Sequence, residues 1–408
     1  MSRIDTALFA SIVSWARGQA LTSDPGFSAD EWEDLLRLAA EQEILPLVCD
    51  SVCGCSSYRH LDRERRIHYR DKSISLAVRQ IVQTNEFLTL MLHAQERGLD
   101  PIVLKGIVVR SLYPKPMLRL SVDEDLFVSR GELRAYHEFF LSEGLTPDDP
   151  EADLDRSLEL SYHRHGSPTY IELHTDFLPS GSDAYSECNA ALSGASERST
   201  QVTIEDVTMR TLSPTDHILY LILHAYKHFL HGGFGIRQVC DIGMFSEHYA
   251  DSIDASHVMS ECEKLHIGRF AAALFRICEQ ELGFPEGKLF PGVEVDTHDL
   301  LEDIMSGGLY GMNDINRAHS STLTLDAVAS QRTGRRRKGA FHSVFLPLKD
   351  LVGRYPYLRK RPWLLPAAWA QRIWNYLFKR ENGAVSPSES LRIGRDRIEL
   401  LREYEIID

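Results

Sequence analysis

The stretch 102-IVLKGIVVRSLYPKPMLRLSVDEDLFV-128 ends in three adjacent acids, Asp123, Glu124 and Asp125, set among apolar residues. Adjacent carboxylates repel one another, and burying a charge is costly unless it is paired or holds a metal. The segment is therefore either a solvated acidic turn or the seat of a cation. Its start, Ile102-Val103-Leu104, is a short β-branched run; Lys105-Gly106 follows, and then a helix-like run over 107–113. A loop holding Pro114 and Pro116 leads into 118–128, which reads as a second strand with the acids inside it.

In a strand, residues i and i+2 point to the same face. Asp123 and Asp125 then project together, with Glu124 on the other side. Downstream, 159-ELSYHRH-165 and 169-TYIELHTDF-177 read as two strands joined by the hairpin signal Gly166-Ser167-Pro168. Glu172 and His174 share one face of the second. If this strand neighbours the acidic one, Asp123, Asp125 and Glu172 converge. Three carboxylates suit one or two Mg²⁺ ions, with Mn²⁺ as the alternative, and such ions also bind substrate phosphates. Two of them can stabilise both the attacking and the leaving oxygen of a phosphoryl displacement. At Lys105-Gly106 the backbone can approach a phosphate, and the start of helix 107–113 offers N–H groups. Lys105 adds a point charge, and Arg110, Lys115 and Arg119 are further cations on the same segment. Taken singly these signals are weak: a D-x-D pair or a strand-end lysine is more often solvated surface. The order is what chance does not readily produce: strand, Lys-Gly, helix, D-x-D strand, helix, E-x-H strand.

The chain has 408 residues, which exceeds a typical single core and predicts two or three domains. With 43% hydrophobic and 25% charged residues it falls in the soluble globular class. No apolar run approaches the ~18 residues of a membrane span. The N-terminal stretch has interrupted apolar positions and no cleavable signal pattern, so the expected location is cytoplasmic. The seven cysteines lack zinc spacing and read as reduced thiols.

The expected division is a helical region over 1–97, a mixed α/β core over 98–210, a helical domain over 211–380 and a polar tail over 381–408. In 32-WEDLLRLAAEQEILPLV-48 the apolar residues follow helix spacing until Pro46 ends or bends the element. A longer helix is expected over 73–97 with Gly98 as its stop, and another over 131–143. Ser213 caps a helix through 216-DHILYLILHAYKHFLH-231. Further helices are expected over 236–248, 255–283, 297–306, 362–380 and 388–403, with 307–340 as a flexible region. His217, His224, His228 and His231 share one broad helix face, which reads as structural, as polar lining of a site or as metal-binding.

The residues 103-VLKGIVVRSLYP-114, 119-RLSVDEDLFV-128, 171-IELHTDF-177, 220-YLILHAYKHF-229 and 237-RQVCDIGMF-245 resemble the uncharacterised nucleotidyltransferase family of the polymerase-beta-like superfamily. The similarity extends to 32–48 and to 354-RYPYL-358 with 362-PWLLP-366. The resemblance implies an α+β fold: a small mixed sheet as nucleotidyltransferase core, flanked by N- and C-terminal helical domains. It implies Asp123 and Asp125 as metal ligands and Glu172 as third carboxylate, ligand or base. Lys105, Gly106, Arg110, Arg119, His174, His224 and His228 are the expected nucleotide- and substrate-binding residues. Three positions depart from the family pattern. Glu124 stands where an apolar residue is usual, Thr175 where an aromatic is usual, and Lys105-Gly106 replaces the superfamily's Gly-Gly/Ser turn.

The expected activity is transfer of a nucleoside monophosphate from an NTP, ATP by default, to a small-molecule, peptide or protein acceptor, with Mg²⁺ and release of pyrophosphate. The rivals are an inactive binding or regulatory module of this fold and an RNA-modifying transferase. The second rests on charge. Residues 332–380 carry 13 Lys/Arg against the single acid Asp350, so they are +12 and the rest of the chain −26 within a net charge of −14. The run 335–338 could bind RNA phosphates and 359–380 a membrane surface. Yet Trp363, Leu364, Trp369, Ile373 and Leu377 are spaced as a core-facing helix stripe, and nothing resembles a nucleic-acid module, so nucleic acid is not favoured.

Overall fold

A computed structural model describes residues 2–180, 182–185, 187–307, 315–334, 348–351, 355, 357–378 and 387–408. The chain is α+β, with one mixed sheet set among helices. Four helices lead: α1 (Arg3–Ala16), α2 (Ala29–Glu41), α3 (Leu45–Val52) and α4 (Arg63–Glu96). Ser2 with Asp5, and Ser28 with Glu31, close capping boxes at α1 and α2, satisfying N–H groups that the helix leaves free. The segment 32–48 is not a single element. Glu43 turns the chain with φ of 55°, and Pro46 sits in the first turn of α3, where its missing N–H costs nothing. The helix α4 starts ten residues earlier than expected and stops at Gly98, whose φ is 72°.

The sheet strands are β1 (Ile102–Val103), β2 (Glu124–Phe127), β3 (Thr146–Pro147), β4 (Glu159–His163), β5 (Tyr170–His174), β6 (Thr200–Ile204) and β7 (Val207–Thr211). Their order is β3-β4-β5-β2-β1-β7-β6. The pairs β2–β5 and β1–β7 are parallel; the others are antiparallel. Between them lie a short turn-helix α5 (Lys105–Arg110), α6 (Leu133–Ser142) and α7 (Cys188–Ala191). The strand expected over 118–128 is therefore shorter: 119–123 is irregular, and Asp123 stands one residue before β2.

Strand alternation divides the sheet between two cores. Val103, Leu126, Ile171 and Leu173 pack with Phe87, Met91, Tyr136 and Phe140 of α4 and α6. Ile102 and Leu104 belong instead to the large core shared by α1–α3 and the later helices α8 (Pro214–His231), α9 (Ile236–His248), α10 (Ala255–Lys264) and α11 (Gly268–Gln280). On that side Phe127 stacks on Phe177 at 4.2 Å, and Phe177 meets Tyr220 of α8.

Two expectations for the later chain are corrected. The segment 255–283 is two helices, because His266 at φ 55° breaks it. Residues 315–333 of the region expected to be flexible form a helix, α13 (Ile315–Thr333), after α12 (His298–Gly307). Thr324 of α13 hydrogen-bonds the Leu230 carbonyl at 2.5 Å and so holds the end of α8. Helices Leu365–Phe378 and Pro387–Glu403 follow. Trp363, expected on a core-facing stripe, is 72% exposed. The basic run 335–338 lies outside the described residues.

Glu124 is fully buried on the helix side of β2, opposite the flanking aspartates. Its Oε1 accepts from Arg110 Nη2 at 2.5 Å, and its Oε2 accepts from the Ile107 backbone N–H at 2.8 Å. Arg110 also donates to Ser121 Oγ at 2.7 Å and Thr84 Oγ1 at 3.2 Å. One buried pair thus ties α5, β2, the 119–123 loop and α4 together. Removing one partner leaves the other charge buried alone. Arg110→Met is therefore expected to lower stability by about 3–5 kcal/mol in urea unfolding. Arg134→Met, which removes only an exposed pair with Asp155, should cost about 0–1 kcal/mol.

Candidate functional site

The parallel register sets Asp125 of β2 beside Glu172 of β5, so both side chains rise from the face opposite Glu124. His174, two residues on, joins them. Its Nε2 lies 3.0 Å from Asp125 Oδ1 and 3.6 Å from Glu172 Oε2, and its Nδ1 lies 3.5 Å from Glu159 Oε2. Lys105 reaches in from the other side, with Nζ 3.1 Å from Asp125 Oδ2 and 3.5 Å from Asp123 Oδ2. Four carboxylates, of which Glu159 is the most exposed, and the side chains of Lys105 and His174 therefore form one cluster.

The charges respond to this crowding. Burial alone would raise the Asp125 carboxyl, but the Lys105 charge and the His174 hydrogen bond hold it well below the usual range. Burial would lower His174; hydrogen bonds to Asp125 and Glu172 and the Asp125 charge override it and lift the ring to about 9. Glu172 moves up, first through burial and then through the charges of Asp125 and Asp123, against the His174 hydrogen bond. Asp125, Glu172 and His174 bring potential ligand atoms within 4.8 Å of one another. In the metal-free protein the ring keeps its proton and donates to Asp125.

The turn before the cluster differs from its expected form. Gly106 has φ 48° and ψ −116°, and a Cβ there would overlap the Glu124 carboxylate. Glycine is thus required at this position by Glu124 beneath the turn. The helix expected over 107–113 ends at Arg110, and the Ile107 N–H is taken by Glu124. The expectation of a helix N-terminus with free N–H groups is corrected accordingly. Arg110, expected on the nucleotide, is buried under the turn in its pair with Glu124.

Arg119 does border the cleft, in a bidentate pair with Asp241 of α9 at 2.5 and 3.2 Å. Tyr113 donates to the same carboxylate at 2.8 Å. The cleft has about 430 Å³ of empty space and is lined by Lys105, Gly106, Ser121, Asp123, His224 and Gln238, among others. His224 and His228 face each other with Nε2 atoms 3.1 Å apart. Desolvation first, and then neighbouring cations including Lys105, push both well below the usual imidazole range, so they are a neutral pair. His217 is buried beside Thr211, and burial lowers it to about 3.

Sequence reasoning assigned no role to Asp241, Arg237, Gln238 or Tyr220. Arg237 donates to the Leu120 carbonyl and so holds the loop before Asp123. Burial first, and then the Asp125 charge, raise the Tyr220 hydroxyl well above its usual value. The available signal was polar residues inside an otherwise apolar helix, 236–245, within a stretch that the resemblance covered.

The family model described as uncharacterised nucleotidyltransferase matches residues 28–283, from the cap of α2 past the end of α11. No curated protein and no solved structure matches the chain.

Two outcomes follow from the cluster. Lys105 occupies the space between two carboxylates, so Lys105→Ala should tighten Mn²⁺ binding in the absence of nucleotide; electron paramagnetic resonance titration reads this, and weaker binding would contradict it. The raised His174 proton affinity contributes stability that is complete below pH ~6.5 and is lost as pH rises through about 9. In metal-free protein the unfolding free-energy advantage of wild type over His174→Gln should therefore shrink across that window.

Proposed function

The chain belongs to the uncharacterised nucleotidyltransferase family, and from that premise we propose that it moves a nucleoside monophosphate from an NTP to an acceptor hydroxyl, releasing pyrophosphate, with Mg²⁺ as its cofactor. The observation that carries this reading is the cluster of Asp123, Asp125, Glu172, His174 and Lys105, of which Lys105 and Asp123 line a cleft. ATP is the default donor and Mn²⁺ the alternative ion. In this reading the 98–210 core bears the acids and the helical region 211–380 supplies the facing wall through Leu221, His224, Arg237, Gln238 and Asp241; Leu400, Leu401 and Tyr404, expected in a polar tail over 381–408, are instead buried in the large core.

The residues fit a divalent ion. A cationic ammonium already stands between Asp123 Oδ2 and Asp125 Oδ2, and the donors are hard oxygens. Asp123 and Asp125 would hold the ion, which when bound supplies charge neutralisation to the triphosphate. His174 holds Asp125 Oδ1 in place, as outer partners of metal ligands do. Glu172 takes the proton of the acceptor hydroxyl, and its raised proton affinity suits a base. The acceptor oxygen then bonds to the α-phosphorus, the bond from that phosphorus to the bridging oxygen breaks, and pyrophosphate leaves. Lys105 lines the cleft and places positive charge where the phosphates lie.

No helix among the described residues is long and apolar enough to cross a membrane. The cysteines are free thiols, which suits the reducing cytoplasm that we include in the proposal.

The test is turnover of each of the four α-labelled NTPs with Mg²⁺ against a metabolite and peptide panel, read as pyrophosphate release and a nucleotidyl adduct by mass. Asp125→Asn should reduce turnover at least ~100-fold, since even outer partners of metal ligands are worth roughly 10–100-fold. Nucleotide binding without any adduct or pyrophosphate, in wild type, would leave the binding-module reading in its place.

A further inference from the structure

A second groove opens beside the catalytic cleft, between α2–α3, α4 and the loop before Asp123. It has about 700 Å³ of empty space and is lined by Leu45, Lys72, Leu76, Arg79, Gln80 and Val122, among others. Ser121 borders both this groove and the catalytic cleft, and Val122 precedes Asp123 directly. A molecule lying in the groove and reaching past Ser121 therefore comes up to Asp123.

The polar groups of the groove are set for a ligand. Gln80 is 2% exposed. Its Oε1 accepts from the Ser121 N–H at 2.7 Å, which fixes the amide orientation and leaves Nε2 buried with no hydrogen-bond partner. That donor lacks an acceptor, which a ligand oxygen would supply. Gln83 donates to the Val122 carbonyl at 3.2 Å, so α4 holds the groove wall at two successive residues. Lys72 and Arg79 stand at the exposed rim, about two turns apart on the same helix face, and neither is ion-paired among the described residues. The one acid of the lining, Glu43, faces Arg237, with Oε2 3.8 Å from its Nη2. Leu45, Leu76, Leu120 and Val122 supply an apolar floor.

We infer that this groove is the acceptor site, and that the acceptor is a small molecule with an apolar body and an anionic group, carboxylate or phosphate. The anion is held by Lys72 and Arg79, an oxygen of the acceptor takes the Gln80 Nε2–H, and the nucleophilic hydroxyl points past Ser121 to Asp123. This assignment rests on the nucleotidyltransferase reading, in which the other cleft takes the NTP.

Binding of 4-phenylbutyrate, phenyl phosphate and the neutral 4-phenylbutan-1-ol to the full chain, by saturation-transfer NMR, tests it alongside calorimetry of Mg²⁺–ATP. An anionic probe should bind wild type more tightly than the alcohol; which anion is preferred identifies the acceptor's charged group. The double variant Lys72→Ala/Arg79→Ala should weaken that probe roughly tenfold, the worth of about one charge-assisted hydrogen bond. Leu76→Trp should abolish it by filling the groove, and both variants should keep wild-type Mg²⁺–ATP affinity. The surface double variant removes no packing, so it remains informative if Leu76→Trp fails to fold. Probes that do not bind wild type, bind the double variant equally well, or bind no better than the alcohol overturn the assignment. So does loss of Mg²⁺–ATP affinity in the double variant, which would make the groove part of the nucleotide site. Probe binding as expected with no Mg²⁺–ATP binding to wild type would instead sink the nucleotidyltransferase reading and leave an anion-binding groove.

Discussion

The buried carboxylate of Glu124 holds four pieces of chain in one arrangement. It accepts from the Ile107 N–H and from Arg110, which reaches on to Ser121 and Thr84. A buried ion pair of this kind contributes little net stability compared with a well-packed apolar pair, because desolvation offsets the attraction. Its consequence here is positional. It leaves room only for glycine at 106, sets the end of the turn that carries Lys105, and pins β2 so that Asp125 faces the opposite side. The acid that departs from the family pattern is thus the support on which the other two stand.

On the far side of the strand the problem reverses, because three carboxylates must share a small volume. Lys105 and a protonated His174 offset them in the protein alone. A site balanced in this way has exchangeable charge. On the proposed reading one cation yields to another, and the ammonium so released meets the phosphates in the cleft. The Arg119–Asp241 pair lines that cleft without adding net charge, and Arg237, 3.8 Å from Glu43, lines it together with Lys105.

Much of this was legible in the residues. The period-2 rule brings Asp125 and Glu172 to one face once β2 and β5 are neighbours, and the structure makes them register partners. Helices over 214–231 and 236–248 follow from Ser213, Pro214 and the apolar spacing. What was not legible depended on distant partners. Arg110 looks like a phosphate ligand until Glu124, 14 positions away, is seen to hold it. Asp241 meets Arg119 across 122 positions, a pairing no local pattern encodes. The hairpin of β6 and β7 was missed because Glu205 and Asp206, not glycine or asparagine, take its left-handed turn. The helix over 315–333 was missed because its Ser/Thr content resembles a loop, whereas Thr324 and Arg317 bond the end of α8 and its following residue.

The most direct measurement of the central claim is a crystal structure with Mn²⁺ and a non-hydrolysable NTP analogue, using anomalous scattering to locate the ion. The account predicts manganese on the carboxylates of Asp123 and Asp125, with Lys105 withdrawn from between them and turned to the triphosphate in the cleft beside Gly106. Manganese bound elsewhere, or Lys105 still bridging the two aspartates with the triphosphate lying in the α4 groove, would contradict it.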